Sequence, residues 1–496
     1  MTTLFRLLIA GVVLCLGAVV RADPPADSKA DPKAEPAPVV TQHTVGGGAG
    51  AISYTATAGR MPLTDDNGKV KAFIFHVAYE RTGVEASTRP VTFVFNGGPG
   101  SSSVWLHLGA LGPRRVTFGE DGGAPAPPGG LEDNASTWLD FTDLVFIDPV
   151  TTGYSRAAEG EDPHQFHGLR GDAQAVGEFI RLYITEHKRW LSPKFLAGES
   201  YGTTRAAALA PLLQGELGIY LNGIVLVSPV LEFQTLEFDN GNDRPYPLFL
   251  PSYTATAWYH HRLGGGDLGE ALRASEEFAA GEYSAALAKG DRLPAAETAR
   301  VAARLAELTG LSEAFVLRCN LRVNQGRFCK ELLRDQARTV GRYDSRYKGI
   351  DRDEAGASPD EDPSYTVVLG PFTAGLNAYL RGELNYESKL KYEILTGKVH
   401  PWDLGADNRY AEVADGLRRA MNDNPRLRVM VCNGYYDLAT PYFASDETFA
   451  HLNLEAADRA RVRVERYHAG HMMYLRREDR EKLHGDAAGF FGECLK

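Results

Sequence analysis

Short runs of apolar, β-branched and aromatic residues recur along the chain and stop abruptly at Gly or Pro: 72–79, 91–95, 144–147, 194–197, 223–227, 428–432 and 461–466. Several are apolar without alternation, which predicts strands buried on both faces of a parallel sheet. Between them, 171–190 and 205–213 carry apolar residues at three- and four-residue spacings and predict helices. Strands alternating with helices predict an α/β fold with a mostly parallel central sheet. The alternation breaks after Val230. From 231 to about 404 the chain turns to Ala/Glu/Leu/Arg-rich helical segments and a polar acidic loop (349–363), and strand character returns at Arg428. That pattern predicts a large, mainly helical cap inserted into the sheet domain. No internal repeat is present.

The N-terminal segment has a different character. Arg6 precedes an apolar run over 7–20, and Val20-Arg21-Ala22 ends it on a small residue. This anatomy predicts a secretory signal over 1–22, the run being short for the ~20 residues of a membrane span. Cys15 follows Leu14, where a lipidation signal calls for a small residue. Residues 23–40, dominated by Ala, Asp, Pro and Lys, predict an extended linker. Folding is expected to begin near Thr41, with a first core part over 41–230, the cap over 231–404 and a second core part over 405–496. The expected location is exported, periplasmic or secreted, without stable membrane insertion after signal cleavage.

Composition narrows the function classes. An apolar content of 44% over 496 residues allows a large buried core and excludes disordered and collagen-like chains. With 64 acidic against 53 basic residues and no basic cluster, the chain lacks an electrostatic footprint for nucleic acid. Cys319 and Cys329, close together in CNLRVNQGRFC, are a candidate disulfide for an oxidising compartment. No CxxC, HExxH or Cys/His ligand spacing appears, so no metal and no cofactor is expected. His164 and His167 (HQFH) read as surface histidines.

The chemistry begins at KFLAGESYGTTRAAALAPLL: an apolar strand, Gly198-Glu199-Ser200-Tyr201-Gly202, then a helix. Glycines on both sides of a serine let the chain turn sharply and leave its oxygen clear of the sheet near a helix N-terminus. A serine hydroxyl is a poor nucleophile at neutral pH and needs a base, itself oriented by an acid. Downstream, Asp437 lies just past one strand end, and His468 and His471 follow the next. The small pair Ala469-Gly470 favours His471 as the imidazole that reaches Ser200. In FVFNGGPGSSSVW, Asn96-Gly97-Gly98-Pro99-Gly100 ends a buried strand with backbone N–H groups open to approach. Gly98 N–H and Tyr201 N–H are the candidate oxyanion donors, each worth ~3–4 kcal/mol to a tetrahedral intermediate.

Taken in order, NGGPGSSS, DPVTTGYS, GESYG, the Asp437 segment and GHMMY resemble the serine carboxypeptidase family of α/β-hydrolases. The resemblance runs from Pro90 to the C-terminus and is weak through the insertion. Ser101 stands where the family has a cysteine, Thr151 where it has a glycine, and Tyr474 where proline is usual; Pro441 and Asp437 match the family's proline and acid. Gly470-His471-Met472 matches the family's catalytic histidine, which adds to the preference over His468. The resemblance implies removal of the last amino acid of a peptide through an acyl-enzyme on Ser200, with Asn96, Gly97 and Glu199 holding the substrate's free carboxylate. A carboxylate–carboxylate hydrogen bond exists only when the pair shares a proton, so such binding favours mildly acidic pH, whereas the His471 base favours the opposite.

The expected partners are therefore peptides with a free C-terminal carboxylate. Two other readings stand beside this one: an esterase or acyltransferase on the same scaffold, and a catalytically dead hydrolase-fold binding module. Side-chain preference depends on how the insertion is placed, and oligomeric state has no signature in the sequence. Arg244, Arg342 and Arg346 lie in the insertion, and nothing in the sequence aims them at a cleft.

Overall fold

The computed structural model describes residues 35–496; the expected signal and most of the expected linker lie outside that range. The central sheet is built from β1 (Val39–Val45), β2 (Ile52–Thr64), β3 (Val70–Arg81), β4 (Val91–Phe95), β5 (Asp143–Ile147), β6 (Lys194–Glu199), β7 (Gly223–Val227), β8 (Arg428–Gly434) and β9 (Val462–Tyr467). Their order across the sheet is β1-β2-β3-β5-β4-β6-β7-β8-β9, with the short strand Arg156–Ala157 added beside β3. From β5 to β9 every neighbouring pair is parallel, and β1, β2 and β3 extend the sheet as antiparallel strands. The α/β-hydrolase class and mostly parallel sheet expected from the sequence are those observed. Among the described residues the first strand begins at Val39, slightly before Thr41, because β1 pairs along its length with β2.

Alternate residues of the central strands feed two hydrophobic layers, as a period-two side-chain pattern requires. Phe195, Ala197, Val225, Val227, Met430 and Cys432 face one layer, and Leu196, Ile224, Leu226, Val429 and Val431 face the other. Helices α1 (Leu169–Glu186) and α2 (Tyr201–Gly215) cover the second face through Val176, Phe179, Ile180, Leu209 and Leu213. The opposite face is covered by two helices distant in sequence, Pro363–Gly382 and Arg477–Cys494, through Phe372, Leu376, Leu483 and Phe490.

The long stretch between β7 and β8 therefore divides into two kinds of structure. Helices Pro245–Tyr259 and Ala295–Thr309 build a separate hydrophobic cluster around Phe249, Tyr253, Val301, Leu305 and Phe328. Helix Pro363–Gly382, in the same stretch, packs on the sheet itself.

Two expectations need correction. Cys319 and Cys329 are buried free thiols; Cys319 caps one short helix while Cys329 lies inside the next, in contact with Gln325 and Gly341. His167 is buried rather than at the surface: its Nε2 meets Thr151 Oγ1 at 2.7 Å and its ring stacks near Trp402, while His164 remains exposed.

Candidate active site

Ser200 sits between the end of β6 and the start of α2 with φ 58° and ψ −129°. A non-glycine residue held there stores on the order of 1–3 kcal/mol of backbone strain, and the surroundings enforce it. Ser200 N–H donates to Val227 O at 3.0 Å, and its carbonyl accepts from Thr203 N at 2.8 Å and Thr203 Oγ1 at 2.6 Å. The flanking glycines are required by close approach. A Cβ on Gly198 would lie 2.3 Å from Gly202 O, and one on Gly202 would lie 2.7 Å from Phe95 O.

The Asn96–Gly100 loop runs directly over the first turn of α2. A Cβ on Gly97 would sit 2.3 Å from Tyr201 N and 2.7 Å from Gly202 N, so only glycine leaves the space in front of these donors open. Gly98 has φ +100° and lines the same pocket as Ser200. Behind the loop, the buried Arg205 guanidinium donates from Nη1 to Asn96 O at 2.6 Å and from Nε to Asp172 Oδ2 at 2.6 Å. It also lies over the rings of Phe95 and Tyr201, 5.3 and 5.5 Å from their centroids. Sequence reading did not single out Arg205 or Asp172. An arginine just before the apolar run AAALAPLL is the one signal the sequence carries for them.

Asp437 and His471 form the second half of the site. Asp437 is fully buried and receives four donors: Ala439 N (2.7 Å) and Thr440 N (3.0 Å) on Oδ1, and Thr440 Oγ1 (2.8 Å) and His471 Nδ1 (2.7 Å) on Oδ2. With Nδ1 engaged by Asp437, Nε2 is the ring nitrogen left for the serine. Burial alone would lower the His471 pKa, but the charge and hydrogen bond of Asp437 outweigh it and raise the imidazole above its ordinary value, with Glu199 adding to the rise and Arg342 opposing it. His468 is directed elsewhere: its ring packs against Tyr435 and its N–H bonds to Asp479.

The segment Arg342–Ser345, from the insertion, holds both of these loops. Leu438 N donates to Arg342 O (3.0 Å) and His471 N to Tyr343 O (2.6 Å). Gly470 N donates to Asp344 Oδ2 (3.0 Å), and Ser345 N and Oγ both donate to Tyr436 O (3.0 Å). Arg346 is locked on Asp344 at 2.6 Å, and Arg244 on Glu232 at 2.7 Å. Arg342 lies over the Tyr343 ring, whose centroid is 5.2 Å from that of His471. The bonds to the carbonyls of Arg342, Tyr343 and Tyr436 were not visible from the sequence, because backbone carbonyls leave no residue-type signature.

Glu199, Asn96, Gly97, Gly98, Ser200 and His471 line one pocket, walled by Trp105, Tyr343, Tyr365 and Leu395. Glu199 is completely buried, and burial pushes its carboxyl up to about 7, against the lowering effect of His471 and of hydrogen bonding from Tyr474 and the nearby Asn96 side chain. Asn96 Oδ1 accepts from Leu106 N at 3.1 Å, while its buried Nδ2 has no hydrogen bond of full geometry among the described residues. Ser101, at the family's cysteine position, is tied by hydrogen bonds: its Oγ contacts Ile394 O, Ser102 N donates to Ile394 O at 2.9 Å, and Thr396 N donates to Gly100 O at 3.0 Å.

Comparison with known proteins bears on this arrangement. Residues 52–236 match the family model described as serine carboxypeptidase. Serine carboxypeptidase-like 19 of Arabidopsis thaliana is 28% identical over 196 residues, 37% of this chain and 39% of that protein. The pheromone-processing carboxypeptidase KEX1 of Metarhizium robertsii is 31% identical over 147 residues, 29% of this chain and 21% of that protein. The matched region thus spans about two fifths or less of the length of these relatives. Among solved structures, the prohormone-processing carboxypeptidase KEX1(DELTA)P of Saccharomyces cerevisiae superposes with a TM-score of 0.54 at 16% identity, covering 89% of this chain and 92% of that one. Over residues 52–236 the chain is thus similar in sequence to serine carboxypeptidases, and across the described residues it has the α/β-hydrolase fold.

Proposed function

We propose that this protein is a serine carboxypeptidase that releases the C-terminal amino acid of peptides. Ser200 Oγ attacks the scissile carbonyl carbon while its proton passes to His471 Nε2, and Asp437 holds the imidazole and balances its charge. The tetrahedral oxyanion is received by Gly98 N–H and Tyr201 N–H. The C–N bond then breaks, His471 returns the proton to the leaving amine, and the free amino acid departs. Water repeats the sequence on the acyl-enzyme and regenerates Ser200.

The observation that carries this reading is the conjunction, in one pocket, of Ser200 and His471 with a buried carboxyl raised to about 7 and a buried asparagine amide whose Nδ2 has no hydrogen bond of full geometry among the described residues. A protonated Glu199 donates to a substrate carboxylate, and Asn96 Nδ2 and Gly97 N–H supply further donors. A substrate without a free carboxylate offers that buried acid no partner of this kind. Productive turnover calls for neutral His471 together with protonated Glu199, so kcat/KM is bell-shaped in pH, with its alkaline limb set by Glu199.

The test is release of the C-terminal residue from N-blocked dipeptides, compared with their C-terminal amides and with simple esters, with Ser200→Ala as control. Cleavage of the free-carboxylate peptide well above its amide is expected, and ester cleavage without peptide cleavage sinks the reading. We further propose export to the periplasm or medium, on the anatomy of residues 1–22; no helix among the described residues is long and apolar enough to cross a membrane. N-terminal sequencing of the protein from cell fractions tests this, and retention of Met1 on a cytoplasmic protein overturns it.

A further inference from the structure

Tyr474 follows His471 by three residues on the short turn Met473–Leu475, and its side chain is fully buried. Its hydroxyl donates to Glu199 Oε2 at 2.7 Å. The ring is held in place by Gly109, where a Cβ would lie 2.5 Å from a ring carbon. In the family resemblance this position belongs to proline, which has no group to offer Glu199.

A carboxylic acid has two oxygens and one proton, and the pair Tyr474–Glu199 decides where that proton resides. Tyr474 keeps its own hydrogen, because burial and the neighbouring Glu199 charge hold its pKa well above the ordinary value. Glu199 Oε2 is the one acceptor for that hydrogen among the described residues. A proton on Oε2 would leave the tyrosine hydrogen a weaker, hydroxyl-type acceptor, or, if Oε2–H donated back to Tyr474, would leave that hydrogen without an acceptor among the described residues, at a cost of up to roughly 1–3 kcal/mol. The proton therefore occupies Oε1. The ionisable groups bearing on Glu199 are His471, Tyr474 and Asp437, and none of them is an alternative acceptor from Oε2.

We infer that Tyr474 is a positioning residue that fixes the Glu199 proton on Oε1, presenting an acid O–H to the C-terminal carboxylate of the substrate. The inference rests on the carboxypeptidase reading and adds to it a residue that neither the triad nor the carboxylate-binding set includes. The change Tyr474→Phe keeps the ring against Gly109 and removes only the donor. It frees the proton to reside on either oxygen, and it removes a hydrogen bond that favours ionised Glu199.

The experiment measures kcat and KM for an N-blocked dipeptide and for its C-terminal amide between pH 4.5 and 8.5, in the wild type and in Tyr474→Phe, with thermal midpoints recorded for both. For the free-carboxylate substrate, KM is expected to rise about tenfold with kcat within threefold, and the alkaline limb to move to higher pH. The amide is expected to be unchanged. In a Glu199→Gln background, adding Tyr474→Phe should no longer move the limb. Unchanged KM and limb, or an equal fall in kcat for both substrates, overturns the inference while leaving the carboxypeptidase reading in place. A wild type that treats acid and amide alike overturns both.

Discussion

The core and the inserted stretch contribute to the same site in different ways. Ser200, Asp437 and His471 all follow parallel strands of the central sheet, β6, β8 and β9, and each presents a side chain. The segment Arg342–Ser345 presents mostly backbone: carbonyls of Arg342 and Tyr343 to Leu438 and His471, and one carboxylate, Asp344, to Gly470. Leu438, next to Asp437, is itself buried in the hydrophobic cluster of the insertion. The core thus supplies the proposed reacting groups, and the insertion holds the loops that carry two of them. A chain can vary the second through almost any sequence that keeps the path of the backbone, whereas the first is fixed by residue type.

Substitutions can break this division or sharpen it. The largest effect belongs to the proposed nucleophile: Ser200→Ala should lower kcat by roughly 10⁶-fold with little change in the unfolding midpoint, and a fall of less than 10²-fold would remove Ser200 from the proposed reacting set. Arg205→Met comes next. It strands buried Asp172 and should cost about 3–5 kcal/mol in denaturant unfolding, whereas the double change Arg205→Met/Asp172→Leu should recover most of that stability. Activity should stay low in the double variant, because Asn96 O has lost its donor; full recovery of kcat would show that Arg205 serves folding alone.

A smaller effect follows from Glu199. Its folded-state carboxyl, at about 7, lies above the ordinary glutamate value of 4.5, so between these two pH values the folded state binds more protons than the unfolded one. The stability linked to Glu199 is present in full below pH 4.5 and is lost as pH rises through about 7, by no more than about 3 kcal/mol. Thermal midpoints of Glu199→Gln should lack this fall, and parallel pH curves for the two proteins would contradict it. The smallest effect tests the insertion. Asp344→Ala removes the acceptor of Gly470 N and the partner of Arg346, and should lower kcat about tenfold, roughly the worth of one charged hydrogen bond. If kcat is unchanged, the insertion does not position His471.

Legibility in the sequence followed the same division. Strands β4 and β7 match the apolar runs residue for residue, because a buried parallel strand has no polar alternation to blur its ends. Ser200, Asp437 and His471 were identified from residue type and order, and the structure brings Asp437 onto His471 and lines one pocket with Ser200, His471, Asn96, Gly97, Gly98 and Glu199. Strands β1 and β2 escaped notice. In β1 only Val45 is buried, and β2 turns small residues such as Ala56 and Ala58 inward, so the hydrophobic contrast that marks a strand is weak. His167 was misjudged because a buried histidine bonded through one nitrogen to a threonine looks the same in sequence as a solvated one. Tyr474 was noticed as a departure from the family, but its partner lies 275 positions away and only the fold brings Glu199 to it.

The bracket formed by Arg342–Ser345 bears on how this lineage can change. In many layouts an inserted domain is a replaceable part, exchanged between scaffolds to alter what is admitted. Here a transplant that removes 342–345 would also remove the acceptors of Leu438, Gly470 and His471 N–H, so a foreign insertion must bring an equivalent strand of backbone or leave the acid and base loops unsupported. Diversity is therefore expected to accumulate around the bracket, in length and composition of the flanking helices, while the four-residue path itself is inherited with the triad.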